Sequence, residues 1–154
     1  MYKKYQKIIF LLILTLTLGA CGTDFCVSLT NGYAIGNIKT IAANLIGDTE
    51  TFALDDGTNT PLVFEFDRAG DGVNAANVSV AISALTTDTE VRDAIITAIN
   101  IQLASGTTNI GATFTNANTV NLANTTTGKS GNKNITETVG DTGFTTSGMS
   151  GGCG

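Results

Sequence analysis

The chain contains no histidine and no tryptophan, and only three cysteines. The first absence removes whole classes of chemistry. Without imidazole there is no Ser-His-Asp or Cys-His catalytic unit, no histidine-ligated zinc and no imidazole to titrate near neutrality. Without tryptophan, a sugar-stacking platform would rest on Tyr33 and a few phenylalanines. Positive charge is scarce as well: 8 Lys+Arg against 13 Asp+Glu give a net charge of −5. An acidic surface repels nucleic acid phosphates and anionic headgroups, so direct recognition of either is not expected.

What is present begins at the N-terminus. Lys3, Lys4 and Lys7 head an uninterrupted run of apolar and threonine residues from Ile8 to Ala20. That run is shorter than the roughly 20 residues a bilayer-spanning helix needs, and it reads as a signal-peptide core rather than a membrane anchor. It ends in Leu18-Gly19-Ala20-Cys21, which resembles the lipobox of bacterial lipoproteins. The resemblance implies cleavage before Cys21 and acylation of its thiol and new amino group by chains such as palmitate. Attachment to the membrane would then come from the lipid, at about 0.8 kcal/mol per buried methylene. Gly22 follows, not the Asp of an inner-membrane retention signal, so the expected location is the outer membrane or cell surface of the bacterial envelope. An ordinary secretory signal is the alternative. Removing residues 1–20 takes away three lysines, and the mature chain carries a charge of −8.

With Cys21 lipidated, Cys26 and Cys153 remain in an oxidising compartment. A disulfide between them would tie the tether to the end of the domain, and in the chain-entropy model so long a loop contributes about 4–5 kcal/mol. A bond between two chains, or two free thiols, are the other possibilities.

Residues 22–37 have mixed polarity and read as a tether or loosely held first segment. "IKTIAANLIGD" (38–48) suits a short helix or a strand equally. From Glu50 the pattern sharpens. "TFALD" places Phe52 and Leu54 on one face, "DDGTNTP" (55–61) is a turn, and "LVFEFD" alternates Leu62, Phe64 and Phe66 against Val63, Glu65 and Asp67. This predicts a β-hairpin with one buried face and with Glu65 and Asp67 exposed. "NVSVAI" is a third strand through Val78, Val80 and Ile82. Thr87-Asp88-Thr89-Glu90 is a capping box, and Val91, Ile95, Ala98, Ile99 and Leu103 form the stripe of an amphipathic helix that stops at Gly106. Ile110, Ala112 and Phe114 alternate before the turn "TNAN", and Val120 and Leu122 after it. Asn134–Thr138 and Gly143–Thr146 are weaker strand candidates. The Thr- and Asn-rich stretch past residue 100 suits a solvent-exposed β surface. The expected class is α+β, a mainly antiparallel sheet with one amphipathic helix packed on one face. The expected division is a signal peptide (1–20), a lipidated tether and lead-in (21–49) and an α+β extracellular-type module (50–154).

The run from Thr51 to Gly152 resembles a module of large bacterial extracellular proteins and phage structural proteins. The resemblance is carried by "TFALDDGTNTPLVFEFD", "NVSVAI", "VRDAIITAIN", "VNLANTTTGKSGNKNITETV" and the close "GFTTSGMSGG". The centre, a strand, a helix ending "AIN" and a strand with "AT", is similar to the "IN" motif of flagellin and hook proteins. The resemblance implies a structural or interaction module without catalysis. The chain departs from the tandem arrangement of that module by carrying a single copy behind a lipobox.

"ANTTTGKS" (123–130) matches the loose form of a phosphate-binding loop. Such a loop works by feeding backbone N–H groups into a helix N-terminus. Here Ala123 replaces the first glycine, and "GNKNITETVGDTG" has no apolar stripe at helical spacing. A loop between strands is expected, and no nucleotide.

More than half of the acids lie between Asp48 and Asp71. Asp55, Asp67 and Asp71 are weak calcium candidates, since that cation takes loop oxygens. "DRAGDG" and "DDGTN" lack the full loop spacing, and turn chemistry with solvated charge is the preferred reading. A carboxylate-pair glycosidase would need a deep cleft that a small sheet with one helix does not offer. Lys129 and Lys133 near Glu137 read as surface charge. The expectation is a non-enzymatic surface lipoprotein without a cofactor, acting in adhesion, envelope structure or assembly. The alternatives are a lipid-anchored module binding a glycan or an envelope protein, and a phage-encoded lipoprotein that alters the host surface.

Overall fold

The computed structural model describes residues 31–154; the expected signal peptide, Cys21 and Cys26 lie outside the described residues. Eight strands and one helix follow in the order β1 (Tyr33–Lys39), β2 (Thr51–Leu54), β3 (Leu62–Asp67), β4 (Val78–Ala81), α1 (Asp88–Ala104), β5 (Ile110–Asn116), β6 (Thr119–Thr127), β7 (Thr136–Glu137) and β8 (Thr145–Ser150). They form two four-stranded sheets, ordered β5-β6-β1-β8 and β4-β3-β2-β7. All pairings are antiparallel except β3 with β4. The class is α+β, as the sequence predicts, with two sheets where one was expected.

The hairpin of β2 and β3 stands where alternation places it. Phe52 faces Phe64 across the strands, and their rings stack at 4.8 Å between centroids. Phe144 meets the ring of Phe66 edge-on at 5.9 Å. Such pairs contribute about 0.5–1.5 kcal/mol each beyond the area they bury. Both sheets and the helix feed one apolar core, with Ile38, Phe66, Val80, Ile95, Ile99 and Ile110 fully enclosed.

Helix α1 begins at the predicted capping box, with the Thr87 side chain accepting from the Glu90 N–H and Glu90 returning to the N-cap backbone. Val91, Ile95, Ala98 and Ile99 are buried as the stripe requires, while Leu103 is half-buried. Gly106, at a φ of 76°, ends it.

Two expectations need correction here, and one open choice is resolved. Residues 33–39 are no tether: β1 lies between β6 and β8, with Ala34 and Ile38 fully buried, so the folded unit begins well before residue 50. The undecided stretch 38–48 ends β1 and continues into a short 3-10 turn at Ala43–Leu45. Glu65 is buried, not exposed, because Asn74 N–H and Asn77 Nδ2 come over from the loop after β3 and donate to Oε2 at 3.2 and 2.6 Å. Among the described residues no helix is long and apolar enough to cross a membrane.

Candidate functional site

Two acidic loops and the segment around Cys153 hold the described residues singled out by sequence. In the first loop, between β2 and β3, Asp55 accepts from the Gly57 N–H at 2.7 Å and pairs with Lys133 at 3.6 Å. Its neighbour Asp56 was not singled out, yet it is the buried member. Its Oδ1 accepts from the N–H groups of Thr58 and Asn59, both at 2.7 Å. Its Oδ2 accepts from Asn59 Nδ2 at 2.8 Å, Asn109 N–H at 2.6 Å and Thr108 Oγ1 at 3.4 Å. The Asp56 carbonyl accepts from Asn124 Nδ2 at 3.0 Å. One carboxylate therefore ties the β2–β3 turn to the loop leading into β5, and the backbone beside it ties the same turn to β6. Burial pushes the Asp56 pKa up, but the donors from Asn59, Asn109 and Thr58 outweigh it, and the carboxyl titrates below its ordinary 3.8. Hydrogen bonds to the charged form have this sign.

The second loop brings Asp67 and Asp71 together with Asp48, one carboxylate oxygen of each lying within 4.8 Å of the others. Asp55 is not in this group. Asp48 and Asp71 are exposed and Asp67 is half-buried. Asp48 Oδ1 accepts from Arg68 and Ala69 N–H at 2.9 and 3.0 Å, and Asp67 Oδ1 from Gly70 N–H at 2.7 Å. Asp67 braces its own turn, Asp48 ties the segment before β2 to the turn after β3, and bracing of loops accounts for both. The three oxygens are the only set of that kind among the described residues that could hold a cation.

The segment matching a phosphate-binding loop has a different use. Lys129–Gly131 forms a single 3-10 turn, not a helix. The Ser130 carbonyl sits so close to Gly57 that a Cβ there would meet it at 1.9 Å, and Gly57 has a φ of 76°. A Cβ on Gly131 would stand 2.6 Å from Asn124 Nδ2. The glycines let this turn press against the Asp56 loop.

At the same end of the molecule the first of the described residues meet the C-terminal segment. Gly32 O accepts from the N–H groups of both Gly128 and Cys153, at 3.1 and 3.0 Å. Cys153 is half-buried there. Asn132 grips Gly152 at both backbone groups, Oδ1 accepting at 2.7 Å and Nδ2 donating at 2.9 Å.

At the opposite end, Arg92 is a further residue that sequence reading passed over. Its guanidinium donates to Asp93, Asn116 O and Ala117 O, and lies 4.1 Å from the ring centre of Phe114. It thereby clamps the β5–β6 turn to α1, and Phe114 is exposed rather than in the core. The Glu90 carboxylate, taking N–H and hydroxyl donors from Thr86 and Thr87, is held down to about 2. No family model matches the chain, and no curated protein or solved structure matches it either.

Proposed function

We propose that the protein is a non-enzymatic, lipid-anchored component of the bacterial cell envelope, whose α+β domain serves adhesion, structure or assembly. The observation that carries this reading is the backbone hydrogen bond between Gly32, near the start of the described residues, and Cys153. A tether leaving from residue 31 and the C-terminus then share one pole, and the rest of the domain projects away from the anchored side. The acids support the same reading, because the buried ones, Asp56 and Glu65, are consumed in bracing loops. Cys26 pairs with Cys153 in this proposal: Cys153 lies beside Gly32, and the few residues from Cys26 to Gly32 span up to about 20 Å.

The intact mass of the protein from producing cells, with free thiols blocked and no reductant, tests this. The expected mass lacks residues 1–20, carries acyl groups on Cys21 and is short of two hydrogens. A mass without lipid would overturn the anchored reading, and a covalent dimer through Cys153 would move the function to assembly.

A second reading is binding of an uncharged glycan. A trough of about 370 Å³ on the β5-β6-β1-β8 sheet is lined by Asn37, Thr113, Asn121, Ser147 and Ser150 with no charged side chain. Retention on purified cell-wall fractions tests it.

A further inference from the structure

A four-stranded sheet has two edges, and an open edge is a template for another strand unless it is blocked. Among the described residues, three of the four edges are partly occupied or very short. On β5, Asn100 from α1 bonds both backbone groups of Ala112, accepting from its N–H and donating to its carbonyl at 2.9 Å each, and Thr108 Oγ1 accepts the Ile110 N–H. Along β8, Lys133 O accepts the Met149 N–H at 2.8 Å, and just beyond the strand Asn132 occupies both groups of Gly152. The third, β7, is two residues long.

The edge at β4 is different. The Ile82 N–H bonds Asp67 O at 3.0 Å, which sets the alternation in the parallel pair with β3. Val80 and Ile82 face β3, and Ser79 and Ala81 turn their N–H and C=O groups to the outside. Both residues are exposed. Beside them runs a slot of about 460 Å³ between β4 and α1. Its helix wall is apolar at one end, where Ala94 and Ala98 leave room and Ile101 is 58% exposed. Its other end carries Glu90 and Asp93. No basic side chain lines the slot.

We propose that β4 is a strand-addition site, which takes an extended segment of another protein bearing a basic residue at one end and apolar residues at alternate positions after it. Main-chain bonds to Ser79 and Ala81 would hold the segment, and the side chains facing α1 would set its identity. The charge of the slot decides between occupants. Asp93 is already paired with Arg92 at 2.7 Å, so Glu90 carries the slot's excess negative charge; a second copy would bring another Glu90 to the same place in an acid-rich chain, whereas a basic segment complements it. The inference rests on reading the domain as an interaction module, and it deepens that reading by naming the partner's chemistry.

The test is titration of the ¹⁵N-labelled protein, as purified from producing cells, with the capped peptide Arg-Thr-Val-Thr-Val-Thr. Saturable shifts are expected at the amides of Ser79, Ala81 and residues 94–101, with exchange of the Ser79 and Ala81 amides slowed about tenfold. Ala81→Pro removes an outward N–H without touching the bonds to β3, and should weaken binding about tenfold while the rest of the spectrum stays dispersed. Ile101→Glu, at an exposed position, should weaken it similarly. Replacing the peptide's arginine with glutamate should weaken binding several-fold, and Asp93→Asn should shrink that difference. No shift at these amides with millimolar peptide, or shifts centred elsewhere, would overturn the proposal. So would protection of Ser79 and Ala81 in the peptide-free protein by a concentration-dependent dimer, which would make a second copy the occupant. The anchored reading fails on a different result, a mass without lipid, which leaves this titration untouched.

Discussion

The loops at Asp55–Asn59 and at Asp48, Asp67 and Asp71 have the same raw material, several acids among glycines, and different outcomes. In the first, Asp56 is enclosed and five donors converge on its carboxylate. In the second, three carboxylates share an exposed corner; Asp67 braces its own turn, and Asp48 reaches across some twenty positions to the N–H groups of Arg68 and Ala69. What separates them is enclosure and the number of donors. Asn109 and Thr108 reach Asp56 from more than fifty positions away, so that acid joins the β2–β3 turn to the loop leading into β5, out of reach of water. A donor lost at an exposed brace is replaced by water; one lost at an enclosed brace is not.

The contrast breaks most forcefully at Gly57. A Cβ there meets the Ser130 carbonyl, and the φ of 76° is strained for any L residue, so Gly57→Ala should cost about 4 kcal/mol, read as a fall in the urea midpoint at unchanged slope. Asp56→Ala comes next. It strands donors that are enclosed with it and should cost about 3 kcal/mol in the same assay. Its acid dependence sharpens the point. Because Asp56 titrates below 3.8 when folded, its contribution is complete above that value and is lost as pH falls through the lower folded pKa. Glu90 behaves likewise between its ordinary 4.5 and about 2. Asp56→Asn should therefore flatten the loss of stability on acidification below pH 4, followed by circular dichroism. Thr87→Ala, which removes only the local cap of α1, should cost about 1 kcal/mol. At the exposed corner, Asp71→Asn should change stability by less than about 0.5 kcal/mol, and upward, because it relieves like charges. A fall of several kcal/mol there would show that the two loops are not different in kind.

Much of the fold was legible because its signals are local. The capping box at Thr87 and Glu90, the stripe from Val91 to Ile99 and the alternation of Phe52, Leu54, Phe64 and Phe66 each fit within one element. Strand β1 was hidden because its inward residues are small or widely spaced: Ala34 and Ile38 are buried with Gly36 between them, which does not read as an apolar alternation. The burial of Glu65 depends on Asn74 and Asn77, and the division into two sheets depends on which strands pair, neither of which a local pattern records. The candidate sites were less legible still. Asp67 and Asp71 do come together, but with Asp48 rather than Asp55. The asparagine of "AIN" gave no hint that its side chain would seal the edge of β5 at the alanine of "AT".

The place of β1 has a mechanical consequence. It is the first described strand and lies between β6 and β8, antiparallel to both. A pull on residue 31 against a load held elsewhere on the domain runs along β1 and loads its two ladders together, in shear. A pull separating residue 31 from Cys153 instead opens the β1–β8 pair from one end, bond by bond. Resistance to force is governed by the rate of unfolding rather than by equilibrium stability. The same domain is thus stiff toward a load borne from residue 31 and weaker toward one that parts residue 31 from Cys153, and the covalent link proposed at Cys153 would abolish the weaker direction.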